Sequence, residues 1–286
     1  MTNKMQSREP LQSRPAITNV LVLKDSEFNK IRDLIYDIAG ISLAPVKKTL
    51  VSSRLSKHLR ETSHHSFSDY FNFITSKGNE SQLQYAVDLL TTNETYFFRE
   101  IKHFDFLQKQ ILPSREHGRT FRVWSAACST GEEPYSVAML LDDLLGQSDW
   151  QVLATDISNR VLEKAKTGIY PMTRIKDLPE RLLRAYCLKG VGKYDNSMMV
   201  TEQLRKKVQF QYLNLNKSLP QNIGLFDVIF LRNVMIYFDL DTKRQVVERM
   251  LPHLRPDGFF IVGHSETLGG VCDSLKAIAP SIYTRA

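Results

Sequence analysis

The residues with the clearest chemistry lie between positions 121 and 156. Two carboxylates, Glu132 and Glu133, follow a loop of small residues that ends at Gly131, and a third, Asp156, follows the next apolar run. An acid at that place suits the two ribose hydroxyls of an adenosine. Acids at a helix start favour the helix dipole but repel phosphate. They would accept a hydrogen bond from an ammonium or lie near a sulfonium, so the stretch indicates S-adenosylmethionine. The alternative is that both glutamates are only good first-turn residues.

The elements that must position these acids form a βαβ unit. Residues 121–126 read as a buried strand, Pro134 lies in the first turn of a helix, and residues 150–155 form a second strand. A dinucleotide site needs a Gly-x-Gly-x-x-Gly loop to cradle a pyrophosphate, whereas this loop has a single glycine, Gly131. The loop therefore disfavours a nicotinamide dehydrogenase.

Polar residues also follow the other predicted strands. Strands are expected at 208–215, 226–231, 259–262 and 278–284, with a turn at 256–258 before the third of them. In an open parallel sheet the ligands lie at the carboxyl ends of the strands. Those ends carry Asn214, Leu215, Arg232, Asn233 and the segment 263–266. A single shared site is the simplest interpretation.

Residues 91–99 separate the two halves of the chain and are unusually rich in polar and aromatic side chains. Asn93 and Thr95 could hydrogen-bond a ligand, and Arg99 could hold a carboxylate through two parallel hydrogen bonds. The alternative is a capped junction packed by Phe97 and Phe98.

Length and composition limit the possible classes of protein. The 286 residues are 42% hydrophobic and 24% charged, as in ordinary globular proteins, and no apolar run approaches a membrane span. The three cysteines are far apart, which argues against a disulfide framework or a zinc cluster. We therefore expect a cytoplasmic protein, with residues 1–19 as a disordered leader. The net charge of +7 favours an acidic partner.

The apolar pattern of residues 20–90 predicts an all-helical N-terminal domain. Between positions 47 and 60 this domain has several bases and no acid, and the bases Lys47, Arg54, Lys57 and Arg60 fall near one side of a helix. The face lacks the exposed aromatics of a single-strand nucleic-acid platform. It is either solvated surface or, as we favour, a docking face for an acidic protein helix.

Residues 168–205 interrupt the βαβ pattern. Two short strand-like pieces flank a turn that contains Gly190 and Gly192. We interpret the segment as a small antiparallel β-subdomain inserted in a Rossmann-like domain that covers residues 100–286, with residues 91–99 as a linker that contributes to the active site.

With these residues assembled, the chain resembles the CheR family of chemotaxis receptor methyltransferases from about Leu21 to the end. The motifs that carry the resemblance are Thr91-Thr92-Asn93 through Phe97-Phe98-Arg99-Glu100, Ser129-Thr130-Gly131-Glu132-Glu133-Pro134-Tyr135-Ser136, Ala154-Thr155-Asp156-Ile157 and Arg232-Asn233-Val234-Met235-Ile236-Tyr237-Phe238. Members methylate glutamate side chains of chemoreceptors with S-adenosylmethionine. The family fold is a helical domain followed by a Rossmann-like domain with an inserted β-subdomain.

The resemblance implies specific roles for residues of this sequence. It implies cofactor contacts at Asn93, Thr95, Arg99, Glu133, Asp156, Asn214, Leu215, Arg232 and Asn233. It places Arg99 and Tyr237 beside the reacting groups, and it brings the basic helix to the acidic methylation helices of the receptors. In members that bind a receptor C-terminal pentapeptide, the β-subdomain has a turn like Gly190-Val191-Gly192, although the flanking residues 193–198 match poorly here. Cys128 has no expected function.

The expected reaction is an in-line displacement at the sulfonium methyl group. A glutamate side chain has a pKa of about 4.3, so the acceptor is already ionised at neutral pH and no general base is needed. We expect no metal, no nucleic-acid partner, no membrane insertion and a monomeric protein. The alternatives are a nucleic-acid methyltransferase, for which residues 233–237 lack an Asn-Pro-Pro-Tyr motif, and a non-catalytic sensor that binds the cofactor.

Overall fold

The computed structural model describes residues 21–116, 118–146 and 149–286, so the expected leader at 1–19 lies outside the described residues. The N-terminal part is helical. Its helices are α1 (Asp25–Ala39), α2 (Lys48–Glu61), α3 (Phe67–Thr75) and α4 (Glu80–Leu90). Each turns an apolar stripe inward, and Phe28, Leu55 and Tyr70 belong to their common core. The predicted helical domain is therefore present.

The remaining chain forms an α/β domain. In chain order its elements are α5 (Lys102–Phe106), β1 (Phe121–Ala126), α6 (Glu132–Leu145), β2 (Trp150–Asp156), α7 (Asn159–Thr167), β3 (Ile169–Pro171), α8 (Glu180–Tyr186), β4 (Cys187–Lys189), β5 (Ser197–Val200), α9 (Glu202–Arg205), β6 (Val208–Tyr212), β7 (Phe226–Leu231), α10 (Leu240–Met250), β8 (Leu254–Val262), β9 (Leu275–Ala279) and β10 (Ile282–Arg285). A π-helical turn, Leu107–Ile111, extends α5.

The main sheet has seven strands in the order β6-β2-β1-β7-β8-β10-β9. The first five strands in this order run parallel to their neighbours, whereas β10 pairs antiparallel with both β8 and β9. All six residues of β7 are buried, as expected for a central strand covered on both faces. The carboxyl ends of the parallel strands therefore meet at one edge, and the predicted Rossmann-like class is confirmed.

The C-terminal segment differs from the sequence prediction. The sequence predicts one strand at 278–284, but the chain forms the antiparallel pair β9 and β10, separated by a tight turn in which Ser281 has a φ of 62°. The expected turn at 256–258 is also wrong, because these residues continue β8, with a register shift against β7. Gly258 has no room for a side chain, since an added Cβ would lie 2.8 Å from the Leu254 side chain.

The insertion is a three-stranded antiparallel sheet in the order β3-β5-β4, with α8 between β3 and β4. It packs on the main domain through Tyr170, whose hydroxyl donates to the carbonyl of Thr130 at 2.7 Å. Gly131 permits this close approach, because an added Cβ would lie 2.8 Å from that hydroxyl and from the Ala165 side chain. The loop thus needs glycine at position 131 for two reasons, the close packing of Tyr170 and Ala165 and a φ of 94°.

Hydrogen bonds join the helical domain to the α/β domain. The Asn214 amide, which follows β6, donates to the carbonyl of Ile38 in α1 at 2.7 Å. The Gln84 amide donates to the carbonyl of Ile157 at 2.8 Å, and the Tyr36 hydroxyl donates to Asp239 at 2.7 Å. These contacts hold the helical domain over the carboxyl edge of the parallel strands.

Candidate active site

A cavity opens where the helical domain, the linker 91–99 and the carboxyl edge of the sheet meet. Together with the space that opens to solvent, its empty volume is about 960 Å³. All nine residues predicted to contact the cofactor line it, and Tyr237 lines it as well. Six apolar side chains also line it: Ala39, Ile41, Ile157, Leu213, Val234 and Phe238. Segments that are distant in sequence therefore build one site.

The loop after β1 is held in an unusual backbone conformation. Ala127 and Ser129 have positive φ angles of 81° and 50°, although neither is glycine. Such conformations cost about 1–3 kcal/mol each and persist only where surrounding bonds fix them. Here the amides of Ala127 and Cys128 both donate to the carbonyl of Thr155, at 2.8 and 2.9 Å. The loop is thereby pinned to the end of β2, beside Asp156.

Asp156 is almost completely buried at the end of β2. One carboxylate oxygen accepts from the backbone amide of Ser129 and the other from that of Ser158, both at 2.9 Å. Burial raises the pKa of Asp156 to about 6, although these two hydrogen bonds favour the charged form. Each oxygen retains a free lone pair, so the carboxylate is oriented and can still accept from two further hydroxyls.

Glu133 lies in the first turn of α6. Its carboxylate accepts from the Ser125 hydroxyl at 2.7 Å and from Arg232 at 2.8 Å. Glu132 does not reach the cavity, because its side chain is fully buried and accepts from the Thr130 hydroxyl at 2.6 Å. Burial raises the pKa of Glu132. Of the two glutamates at this helix start, only Glu133 is placed to meet a ligand.

Arg232 follows β7 and is bound by two acids. Its guanidinium donates to Glu133 at 2.8 Å and to Glu100 at 3.0 Å, and it also contacts the carbonyl of Arg99. Its side chain is only 1% exposed. The structure therefore gives Arg232 a second task beside the predicted cofactor contact, which is to fix the carboxylate of Glu133.

Asn233 also has a positive φ, 57°, and hydrogen bonds to two acids fix its backbone and side chain. Its amide N–H donates to Glu266 at 2.8 Å, and its side-chain amide donates to Glu100 at 3.1 Å. The same Glu266 carboxylate accepts from the amides of Gly263 and Ile236, at 2.7 and 3.2 Å. Glu266 thus fixes the loop that carries Asn233 and Tyr237.

Glu100 and Glu266 are supporting residues whose roles the sequence did not reveal. Burial alone would raise the pKa of Glu100, yet Arg232 and Asn233 hold it below its usual value. Glu100 directly follows the 91–99 linker, and Glu266 lies in the polar segment after β8. Both lie in segments that the sequence marks as polar, but their partners are 132 and 33 residues away and no local pattern connects them.

The linker residues line the cavity from the other side. The carbonyl of Asn93 accepts from the Ser129 hydroxyl at 3.0 Å, which ties the linker to the strained loop. Arg99 donates to the carbonyl of Glu94 at 2.8 Å and lies over the Tyr96 ring. Among the described residues the guanidinium has no carboxylate partner. Arg99 can therefore turn to a ligand at the cavity mouth.

Leu215 and Asn214 occupy the wall beneath α1. Leu215 is buried, whereas both ends of the Asn214 amide group already have partners, the carbonyl of Ile38 and the amide N–H of Asn216 at 2.9 Å. Asn214 therefore has a structural role between the domains, in addition to its predicted contact with the cofactor.

The four basic residues predicted to dock a partner do not share one environment. Lys57 and Arg60 are exposed on α2, and Lys47 is exposed directly before its first residue. Arg54 instead donates to the carbonyls of Leu90 and Thr91, at 2.7 and 3.0 Å. Its guanidinium holds the C-terminal end of α4 and the start of the linker. Arg54 therefore has a structural role that the exposed bases do not share.

Comparison with known proteins agrees with this geometry. Residues 26–91 match the CheR methyltransferase all-alpha domain, and residues 93–283 match the CheR methyltransferase SAM binding domain. The chain is 40% identical over 269 residues to the chemotaxis protein methyltransferase of Salmonella typhimurium, covering 93% of this chain and 92% of that one. It is 43% identical over 252 residues to that of Escherichia coli, covering 87% of each.

A third relative is chemotaxis protein methyltransferase 2 of Pseudomonas aeruginosa, with 40% identity over 262 residues, 91% of this chain and 93% of that one. The family matches meet at the linker that lines the cavity, so the boundary between the two domains coincides with the site. The predicted resemblance is confirmed, and the chain belongs to the CheR family of S-adenosylmethionine-binding methyltransferases.

Proposed function

We propose that this protein transfers the methyl group of S-adenosylmethionine to glutamate side chains of membrane-bound chemoreceptors, for sensory adaptation. The products are glutamyl methyl esters and S-adenosylhomocysteine. One observation carries the choice of acceptor. Both acids deep in the cavity, Glu133 and Asp156, are oriented by hydrogen bonds and assigned to the ammonium and the ribose of the cofactor, so neither is available to deprotonate an acceptor. A carboxylate needs no deprotonation at neutral pH, whereas an alcohol or ammonium does.

The cavity fits the methyl donor. Asp156 would hold the ribose hydroxyls, Glu133 would hold the ammonium of the methionine part, and the apolar wall beneath α1 would cover the adenine. The bound cofactor supplies an electrophilic methyl group on a sulfonium. The residues of the cavity would bind and orient it.

Arg99 and Tyr237 are suited to hold the acceptor carboxylate at the mouth of the cavity. Among the described residues the Tyr237 hydroxyl makes no hydrogen bond, while its backbone carbonyl accepts from Ser42 of the helical domain at 2.8 Å. The backbone is thus fixed and the hydroxyl remains available. A positive guanidinium and a phenol would together align a carboxylate oxygen with the methyl group.

The exposed bases of α2 support docking on an acidic helix. Lys57 lies 3.6 Å from Glu61, and both side chains are largely exposed, so this pair is worth at most about 1 kcal/mol and can be exchanged for a partner's acid. Between Lys47 and Arg60 there is no acid in the sequence. We therefore assign receptor docking to Lys47, Lys57 and Arg60, and place the protein in the cytoplasm at receptor arrays.

The β-subdomain offers a second contact for receptors that carry a C-terminal tether. Strand β4 pairs with β5 on one side, and no other described strand covers its outer edge. The turn after β4 is tight, because the Gly190 amide donates to the carbonyl of Ser197 at 2.8 Å and an added Cβ would lie 2.0 Å from the carbonyl of Tyr194. Gly192 supplies a φ of 59° in the same turn. An extended peptide can add to such an edge.

A base-lability assay tests the proposal. The protein is incubated with methyl-labelled S-adenosylmethionine and either receptor-rich membranes or RNA. We expect label on the receptors that is released as methanol by mild base, as an ester requires, and none on RNA. Label on receptors that resists base, or label on RNA, would contradict the glutamate assignment. Receptors with their methylated glutamates replaced by alanine are the matched control and should stay unlabelled.

A further inference from the structure

A histidine pair lies behind the cavity, on the far side of Glu100. His103 belongs to α5 and is 1% exposed, yet neither ring nitrogen has a hydrogen-bond partner among the described residues. Leaving a buried polar group unpaired costs about 1–3 kcal/mol. His264 is exposed and follows β8, with its ring centre 4.7 Å from that of His103. The pair is therefore a candidate ligand site.

The two imidazoles and one carboxylate are arranged like the ligands of a metal centre. One ligand atom from each of Glu100, His103 and His264 lies within 4.8 Å of the other two. The Nδ1 atom of His103 is 3.5 Å from a carboxylate oxygen of Glu100. Bonds of about 2.0–2.2 Å in a tetrahedral zinc site place neighbouring ligand atoms about 3.3–3.6 Å apart. Only a small movement of the exposed His264 would complete the set.

Charge and access both permit a cation at this place. The ligand carboxylate of Glu100 belongs to a bonded group with Arg232 and Glu133, and the net charge of these three side chains is −1. Lys102 lies at the rim, but it is exposed. A cavity beside His264 gives an ion access from solvent.

We infer that Glu100, His103 and His264 form a binding site for a divalent transition metal of the Zn²⁺ class, with one position open to solvent. Two imidazoles and a carboxylate suit Zn²⁺, Co²⁺ or Ni²⁺ and not Mg²⁺ or Ca²⁺, which take oxygen ligands. The ion has no part in methyl transfer, and the site is separate from the cofactor cavity.

The site is linked to the cofactor cavity through one carboxylate. Glu100 accepts from Arg232 at 3.0 Å and from Asn233 at 3.1 Å, and both residues line the cavity. A metal bound to Glu100 competes with Arg232 and Asn233 for the carboxylate oxygens of Glu100. Arg232 then loses one of its two acidic partners and binds Glu133 more strongly. Metal binding therefore weakens cofactor binding, and by thermodynamic linkage the cofactor weakens metal binding by the same factor.

Competition with a chromophoric chelator measures the metal affinity of the metal-stripped protein. Wild type should bind one Zn²⁺ per chain, and Mg²⁺ should not displace it. His264→Asn should bind Zn²⁺ at least about 10-fold more weakly. His65→Asn is the matched control, since His65 is also exposed but lies far along the helical domain, and it should bind as wild type. No stoichiometric binding, or equal affinity in His264→Asn, would overturn the site.

Two further readouts test the ligand set and the link to the cofactor cavity. The Co²⁺-loaded protein should lack a thiolate charge-transfer band, because none of the three cysteines is a ligand; such a band would overturn the assignment. The Zn²⁺ titration is then repeated with saturating S-adenosylhomocysteine, after correction for Zn²⁺ binding to that compound alone. A weaker Zn²⁺ affinity supports the link through Glu100, and an unchanged affinity overturns it. Both readouts are independent of methyl transfer, so they stand whether or not the receptor assignment does.

Discussion

The cofactor cavity and the basic face of α2 use charge in opposite ways. In the cavity, Glu133 and Asp156 accept hydrogen bonds from buried partners, and the loop beside them keeps a strained backbone. On α2, Lys57 and Arg60 are exposed, and the one ion pair of Lys57 is loose. A fixed set of charges selects one ligand by geometry, whereas mobile surface charges attract any surface of the opposite sign.

The contrast locates specificity in the cavity and recruitment on the surface. Moving a buried acid by a fraction of an ångström changes its hydrogen bonds, so the cavity should tolerate few substitutions. The docking face acts through summed charge that salt screens, so single changes there should have small effects. Substitutions in the two regions should therefore differ both in the size of their effects and in their sensitivity to salt.

Asp156→Ala should reduce cofactor affinity by more than about 100-fold. The ribose hydroxyls lose a charged acceptor, each such hydrogen bond being worth about 1.5–3 kcal/mol, and the amides of Ser129 and Ser158 lose theirs. Isothermal calorimetry with S-adenosylhomocysteine measures the change. Asp177→Ala, an exposed acid of the insertion, is the control and should bind as wild type. An unchanged affinity in Asp156→Ala would remove the ribose assignment.

Arg232→Gln should lower the free energy of unfolding by about 3 kcal/mol, because it leaves Glu100 and Glu133 buried without their cation. Arg181→Gln is the matched control. Arg181 also pairs with an acid, Asp143, but its side chain is 67% exposed, so its loss should cost less than about 1 kcal/mol. Urea unfolding of both variants compares a buried with an exposed ion pair. Equal losses would show that burial does not distinguish them.

The parts of the site that can be predicted from the sequence are those encoded locally. The apolar run of β1, the small residues after it and the acids that follow lie within one continuous stretch, so their pattern identifies the βαβ unit without knowledge of the fold. The same holds for the helical domain, whose apolar stripes repeat with the period of the helix. Polar residues that follow the predicted strands can be assigned to one site, because the carboxyl ends of parallel strands lie at one edge of the sheet.

The parts that the sequence does not reveal depend on distant partners. Helical periodicity puts Arg54 with the exposed bases, but its guanidinium meets carbonyls 36 and 37 positions away. Periodicity predicts the side of the helix from which a side chain extends, but not which other segment of the chain packs against that side. The two C-terminal strands read as one because β9 has mostly exposed side chains, so no alternation marks its boundary. The Glu100–Arg232 pair likewise exists only once β7 is in place.

Cofactor affinity should fall about 10-fold between pH 7 and pH 5. Burial raises the pKa of Asp156 to about 6, above the ordinary value of an aspartate, so the carboxylate is ionised at pH 7 and mostly protonated at pH 5. The protonated group is a poorer acceptor for ribose hydroxyls. Calorimetry across this range measures the effect, and Asp156→Asn should flatten the profile. A wild-type affinity that is constant from pH 7 to pH 5 would contradict it.

Tyr237→Phe should slow methyl transfer by about 10-fold, within the range of one well-placed hydrogen bond to a charged group, while leaving cofactor affinity unchanged. The phenyl ring keeps the packing of the wall, and the backbone contact with Ser42 does not involve the hydroxyl. Single-turnover kinetics and calorimetry separate the two quantities. Tyr96→Phe, a second tyrosine of the cavity wall, is the control. Equal losses of rate and affinity would remove the proposed role of the hydroxyl.

Reversing charge on the docking face should have the smallest effect and the strongest salt dependence. The double variant Lys57→Glu and Arg60→Glu should lower receptor methylation several-fold at low salt and less at high salt, with cofactor affinity unchanged. Its matched control reverses Lys164 and Lys166 on α7, which are also exposed, Lys166 being paired with Glu163 as Lys57 is with Glu61.

Both double variants lower the net charge by four, from +7 to +3, so a general effect of charge would appear in both. A loss confined to the α2 variant assigns docking to that face, and equal losses would reject it.

Arg54→Met completes the comparison. Because Arg54 holds the linker and not the docking face, it should weaken cofactor binding and leave the salt dependence of receptor methylation as it is in wild type. The opposite pattern would return Arg54 to the docking face.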